Sequence, residues 1–227
     1  MTRARWDGWD DEHFEGRPHR AGVELADGEY LAGVALDDPT VPGGAAAEVE
    51  LADVRLAGAR LAGAEITDLR LVDTLVVGAD LAGVRWPGAL LRQVEVRDAR
   101  LTGADLAEAR LDGVRLRRCR LDSAVLADAH LRDVRFEECD LTDAFLGGAR
   151  LERVALVGCD LARVDLDGST FDRVDLRSSD LTEVARLPAL RGAVVDPVQV
   201  AAMAVRLARQ VGLVVRPDRD EDPDDAW

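Results

Sequence analysis

The chain has 227 residues, 48% of them hydrophobic but only 4% aromatic, and a formal charge of −15. That length and apolar content suit one domain with a core, while the acidity disfavours direct nucleic-acid binding, which needs a basic surface. All 29 basic residues are Arg and none is Lys, which excludes a P-loop lysine or Schiff-base chemistry.

No stretch reaches the roughly 20 apolar residues of a membrane span. The N-terminal sequence also lacks the apolar run of a signal peptide. Cys119, Cys139 and Cys159, the only cysteines, predict reduced thiols in a cytoplasmic protein. In chain order, residues 1–22 carry Trp6, Trp9 and Phe14 among acids and are expected to cover the N-terminal end of the fold. Residues 23–48 read as an imperfect first coil. Val23–Asp27 and Val34–Asp38 share a motif one residue out of phase, and Pro39–Gly44 forms a loop or irregular corner.

Residues 49–185 hold the dominant pattern. From Leu51 to Leu181 every fifth residue is apolar, 27 consecutive positions of which 21 are Leu. Two residues before each centre stands Ala, Val, Cys, Ser or Thr, apart from Leu69. A period of five fits neither a 3.6-residue helix nor a strand, so the chain must turn a corner at each unit and keep each centre inside. That is a solenoid. Units such as Ala104-Asp105-Leu106-Ala107-Glu108 make the chain resemble the pentapeptide-repeat family. The resemblance implies an all-β solenoid: a right-handed quadrilateral β-helix with four units per coil. The three cysteines, 20 residues apart in the small position, agree with a four-unit coil and a shared interior column.

With four units per coil, centres 20 residues apart share a face. The first face (Leu51 to Phe171) is neutral, and the second (Leu56 to Leu176) is +2, with positives clustered at Arg115, Arg117, Arg118 and Arg135. The third (Leu61 to Leu181) is −3, and includes Asp80, Asp140, Asp143 and Asp160. The fourth (Ile66 to Leu166) has Arg85 alone against Glu65, Asp68, Asp105, Glu108, Asp128, Asp165 and Asp167, a balance of −6. Val125 and Phe145 stand 20 apart amid these acids, and Phe145 reads as an anchor for a partner. At about 4.8 Å per coil the rod is roughly 32 Å long before its caps.

Asp196-Pro197 predicts a helix start and Gly212 its stop, giving a C-terminal helix over 196–212. Its apolar residues fall on two faces: Val200, Ala204, Leu207 and Val211 on one, and Val198, Ala201, Ala202, Val205 and Ala208 on the other. One is expected to plug the last coil. The second, with Val198, Ala201, Ala202, Val205, Leu213 and Val215, is expected to form a homodimer. Residues 216–227 are acidic and Pro-containing, the composition of a disordered tail.

No catalytic residue, metal site or cofactor is expected. His13, His19 and His130 are scattered, and pairs such as Glu137-Glu138 or Asp112 with Asp133 are surface charges. The pentapeptide-repeat resemblance extends to quinolone-resistance proteins of the Qnr and MfpA type, dimeric DNA mimics. It implies binding to DNA gyrase or topoisomerase IV and modulation or protection of that enzyme. The chain departs from them in having no Asn in its motif, no long loop projecting from the middle coils, and a longer N-terminal segment. The alternative is a structural or scaffolding module for another protein partner. In either case no membrane is involved.

Overall fold

The structure is a computed structural model that describes residues 8–9, 11–184 and 186–216. The acidic tail beyond Arg216 and the side chain of Trp6 lie outside the described residues.

The chain winds as a parallel β-solenoid. Leu111 pairs with Leu91 and Leu131, Leu131 with Leu151, and Leu151 with Phe171. The first and second faces carry three-residue strands such as Arg110–Asp112 and Arg115–Arg117. Two eight-residue strands, Arg70–Val77 and Leu90–Arg97, run around the corner between those faces. On the third and fourth faces the coils touch through single parallel bridges, such as Asp80 to Arg100 and Val125 to Phe145, apart from the first fourth-face pair, where Ala45–Ala47 pairs with Glu65–Thr67. The corner falls two residues after each centre, where φ is left-handed: 57° at Asp53, 62° at Gly83, 59° at Glu108. The backbone thereby turns about 90° per unit, which a strand cannot do. Centres and small residues then both point inward, and both are buried from Val49 to Leu166, while Ser169 and Phe171 near the C-terminal end are only partly buried. The cysteines stack in one interior column, where the Cys119 and Cys139 thiols donate to backbone carbonyls.

Both ends depart from the ideal coil. His19–Ala21 pairs with Ala35–Asp37, only 16 residues on, so the solenoid begins inside the segment expected to be its cap. The chain passes from Leu25 to Leu31 without building the fourth face. Asp27 fills the gap, its carboxylate accepting from the Ala47 N–H at 2.9 Å. The first coil is thus four residues short of the usual 20, and this is the phase break seen in the sequence.

The segment before His19 makes its contacts along the corner between the first and second faces. The Trp9 N–H donates to Glu95 at 2.6 Å, and its indole N–H donates to the Gln93 carbonyl at 3.0 Å. The Trp9 ring packs against His13 and edge-on to Phe14, while His13 and Arg17 both reach Asp53. It is a strap as well as a terminus. Glu95 holds an outward position yet is only 1% exposed, and Leu75, one coil earlier in the same column, is 0% exposed.

The C-terminal helix α1 spans Pro197–Gln210. The Asp196 carboxylate accepts from the Gln199 N–H, and the Gln199 side chain accepts from the Asp196 N–H. Neither apolar face of α1 plugs the last coil. The buried stripe is Gln199 and Met203, extended by Arg206. The Gln199 amide donates to the carbonyls of Leu176 and Ser179 at 2.7 Å each, and the Arg206 guanidinium donates to those of Thr182 and Val184. The last coil offers the carbonyls of Ser179, Thr182 and Val184 without a backbone partner, and only donors can satisfy them. Both apolar faces therefore point outward, with Val198 78% exposed and Val205, Leu207, Val211, Leu213 and Val215 exposed as well.

Candidate interaction surface

The outward residues of the third and fourth faces stand in columns one coil apart. On the fourth face the column before the centres reads Glu65, Arg85, Asp105, Val125, Phe145, Asp165, each bridged to the next. Many of these carboxylates have a local structural task. One oxygen of Asp105 accepts from the Ala107 N–H at 3.0 Å, and Asp140, Asp160 and Asp165 likewise each accept from the residue two further on. This side-chain turn fixes the carboxylate beside its own corner. The other oxygen is left facing out.

The expected acidic site is partly neutralised. Asp80 is paired with Arg100 at 2.8 Å, Asp143 with Arg163 at 2.7 Å, Glu65 with Arg85 at 3.3 Å and Asp167 with Arg186 at 2.6 Å. The Arg100 and Arg163 guanidiniums hold the carboxyls of Asp80 and Asp143 below the usual carboxylate range. Arg186 lies beyond the repeats, so its reach back to Asp167 was invisible in the face count. Asp68, Asp105, Glu108, Asp128, Asp140, Asp160 and Asp165 have no ion pair among the described residues. Within this set Asp68, Glu108 and Asp128 occupy left-handed corners, a conformation that Asp tolerates better than most residues.

The basic cluster of the second face is tied up. Glu137 draws in Arg115, Arg117 and Arg135, and Arg118 pairs with Asp98 at 2.7 Å. Burial works against ionising Glu137, yet its arginines hold its carboxyl below the usual range. Glu137 is thus a structural hub, which a reading of it as a surface charge missed.

Phe145 is 41% exposed on the fourth face. The outer end of its ring lies across the space that a side chain at Gly147 would occupy. A Cβ there would stand 2.6 Å from Cζ. Beside it, the Asp128 carboxylate lies across Gly148 in the same way, 2.3 Å from the place of a Cβ. No long-range sequence pattern marks this pair of glycines. The only signal is that the sequence has a glycine where the repeat elsewhere has Ala, as at Ala107 and Ala127.

A rod with four walls and a five-residue unit defines the class: a quadrilateral parallel β-solenoid. The pentapeptide-repeat model matches eight copies, over residues 70–113, 119–156 and 146–183, and the chain belongs to that family. Among solved structures, it is similar to a trypsin-treated form of QnrB1, a plasmid-mediated fluoroquinolone resistance protein. They share 18% identity over 88% of this chain and 100% of that one, at a TM-score of 0.52. Full-length QnrB1 matches at 17% identity over 83% of this chain and 99% of that one, TM-score 0.40. HetL, a pentapeptide repeat protein involved in heterocyst differentiation regulation from the cyanobacterium Nostoc, matches at 21% over 79% of this chain and 92% of that one, TM-score 0.37. At these identities the likeness concerns the fold. No curated protein sequence matches. Among the described residues no helix is long and apolar enough to cross a membrane.

Proposed function

We propose that this chain is a non-enzymatic, cytoplasmic DNA mimic that binds a type II topoisomerase, DNA gyrase or topoisomerase IV. It modulates or protects that enzyme against quinolones or gyrase-targeting toxins. The observation that carries this reading is the set of carboxylates without cations on two adjoining walls: Asp105, Glu108, Asp128 and Asp165 on the fourth, Asp140 and Asp160 on the third. Stacked at about 4.8 Å per coil, they offer a basic groove a negative row of the kind it meets on DNA, which carries one charge per about 1.7 Å. The fold shared with a fluoroquinolone resistance protein supports the same reading. The second element of the proposal is a homodimer through the outward residues of α1, chiefly Val198, Ala201, Ala202 and Val205, with Leu213 and Val215. An isologous contact there would place two rods end to end.

The test is a gyrase supercoiling assay, with and without a quinolone. Wild type should change supercoiling or drug sensitivity. The triple variant Asp105→Arg, Glu108→Arg, Asp128→Arg should abolish the effect while remaining folded in thermal unfolding, with only the small loss expected from the Asp105 turn, whereas Glu138→Arg on the second face should keep it. Loss of effect with Glu138→Arg and retention in the triple variant would contradict mimicry through this surface.

A further inference from the structure

The chain has 20 glycines, and 19 of them have left-handed backbone conformations that favour glycine. Gly147 is the exception. Its backbone would accept any residue, and the Phe145 ring occupies the place a side chain would take, with Cζ, Cε1 and Cε2 within 3.2 Å of a Cβ. A side chain at 147 would push the ring away from this position. Glycine lets Phe145 fold down onto the wall and still leave 41% of its surface open. Gly148 next to it lets the Asp128 carboxylate lie down at its side, and that carboxylate has no cation among the described residues. Asp165 stands one coil on in the Phe145 column.

We propose that Phe145, Gly147 and Asp128 form a seat for an arginine side chain of the partner protein. The guanidinium stacks on the ring and donates to the Asp128 carboxylate. A planar cation satisfies both groups at once, because it pairs with carboxylate in a fork and stacks on an aromatic face, and an ammonium does the first poorly. An anionic or purely apolar group would lie unfavourably among Asp128, Asp165 and Glu108. The seat deepens the reading of this wall as the partner surface and rests on it.

The experiment titrates the full chain with fluorescein-labelled hexa-arginine and hexa-lysine peptides at moderate salt, and separately with purified gyrase. Wild type should bind hexa-arginine about three- to tenfold more tightly than hexa-lysine. Phe145→Ala, Phe145→Leu and Gly147→Ala should erase that preference, Phe145→Trp should keep it, and Glu108→Gln should weaken both peptides alike. Melting curves confirm that each variant is folded, and Phe145→Leu carries the test should Gly147→Ala fail to fold. Equal binding of the two peptides to wild type, or a preference that survives Phe145→Leu, overturns the seat. The gyrase arm separates the two readings. An arginine preference without gyrase binding leaves the seat standing and removes the topoisomerase. Gyrase binding unchanged by Phe145→Ala does the reverse.

Discussion

The inward residues set the stability of this wall-built tube. Leu131 is stacked between Leu111 and Leu151 with no room for its neighbours to collapse. Leu131→Ala should cost about 2–5 kcal/mol, while Arg110→Ala, on the outside, should stay within about 0.5 kcal/mol; thermal unfolding compares them. The corners supply a second test. Gly103 has φ 64° and nothing within 4 Å of a would-be Cβ, so Gly103→Ala introduces backbone strain without a clash. It should lose about 1–2 kcal/mol, the cost of a left-handed L-residue. At this scale the sequence was highly legible, because a five-residue period names every inward position, Leu131 and Ala129 alike. Glu137 was not legible: its hub depends on how Arg115 and Arg117 bend across from the preceding coil to join Arg135, which no spacing records.

Among the elements, α1 shows where periodicity misleads. Its Asp-Pro start could be read from two adjacent residues, whose chemistry is local. Its buried face could not, because a helical wheel weighs only apolar residues, and the last coil also presents carbonyls. The stripe that docks is therefore mixed, Met203 entering the core between the donors Gln199 and Arg206. Gln199→Leu would leave the Ser179 carbonyl without its donor and should destabilise by roughly 1–3 kcal/mol in denaturant unfolding. The strap was hidden for a related reason. Trp9 pairs with residues more than 80 positions away, and nothing in either segment announces the other. For the outward side of α1, the proposed dimer predicts that wild type is dimeric in light scattering. Val198→Glu with Val205→Glu should be monomeric at unchanged melting temperature, since both residues are exposed in the single chain.

Over the whole molecule, ladders of ion pairs link successive coils: Arg100 with Asp80, Arg118 with Asp98, Arg132 with Asp112, Arg153 with Asp133 and Arg163 with Asp143. Asp80, Asp98 and Asp143 are all held below the ordinary carboxylate range by the guanidinium of the next coil. A carboxyl depressed in the folded state stabilises fully above its unfolded value, about 3.9. That contribution is lost as pH falls through the lower folded value. The melting gap between wild type and Asp143→Asn should therefore be open at pH 7 and close below about pH 4. A gap that widens on acidification would mean the Asp143–Arg163 pair contributes nothing.

The strict 20-residue stacking also makes chain length an angular coordinate. Removing one complete coil would shorten the rod by a single rise and leave every wall facing where it did. Removing five residues, as from Leu121 to Val125, would instead rotate everything downstream by a quarter turn. Asp105 and Glu108 would then look along one azimuth while Phe145, Asp165 and α1 looked along another. Two deletions that differ fourfold in size thus have opposite consequences: the larger preserves the molecule's orientation toward a partner, and the smaller one twists it away.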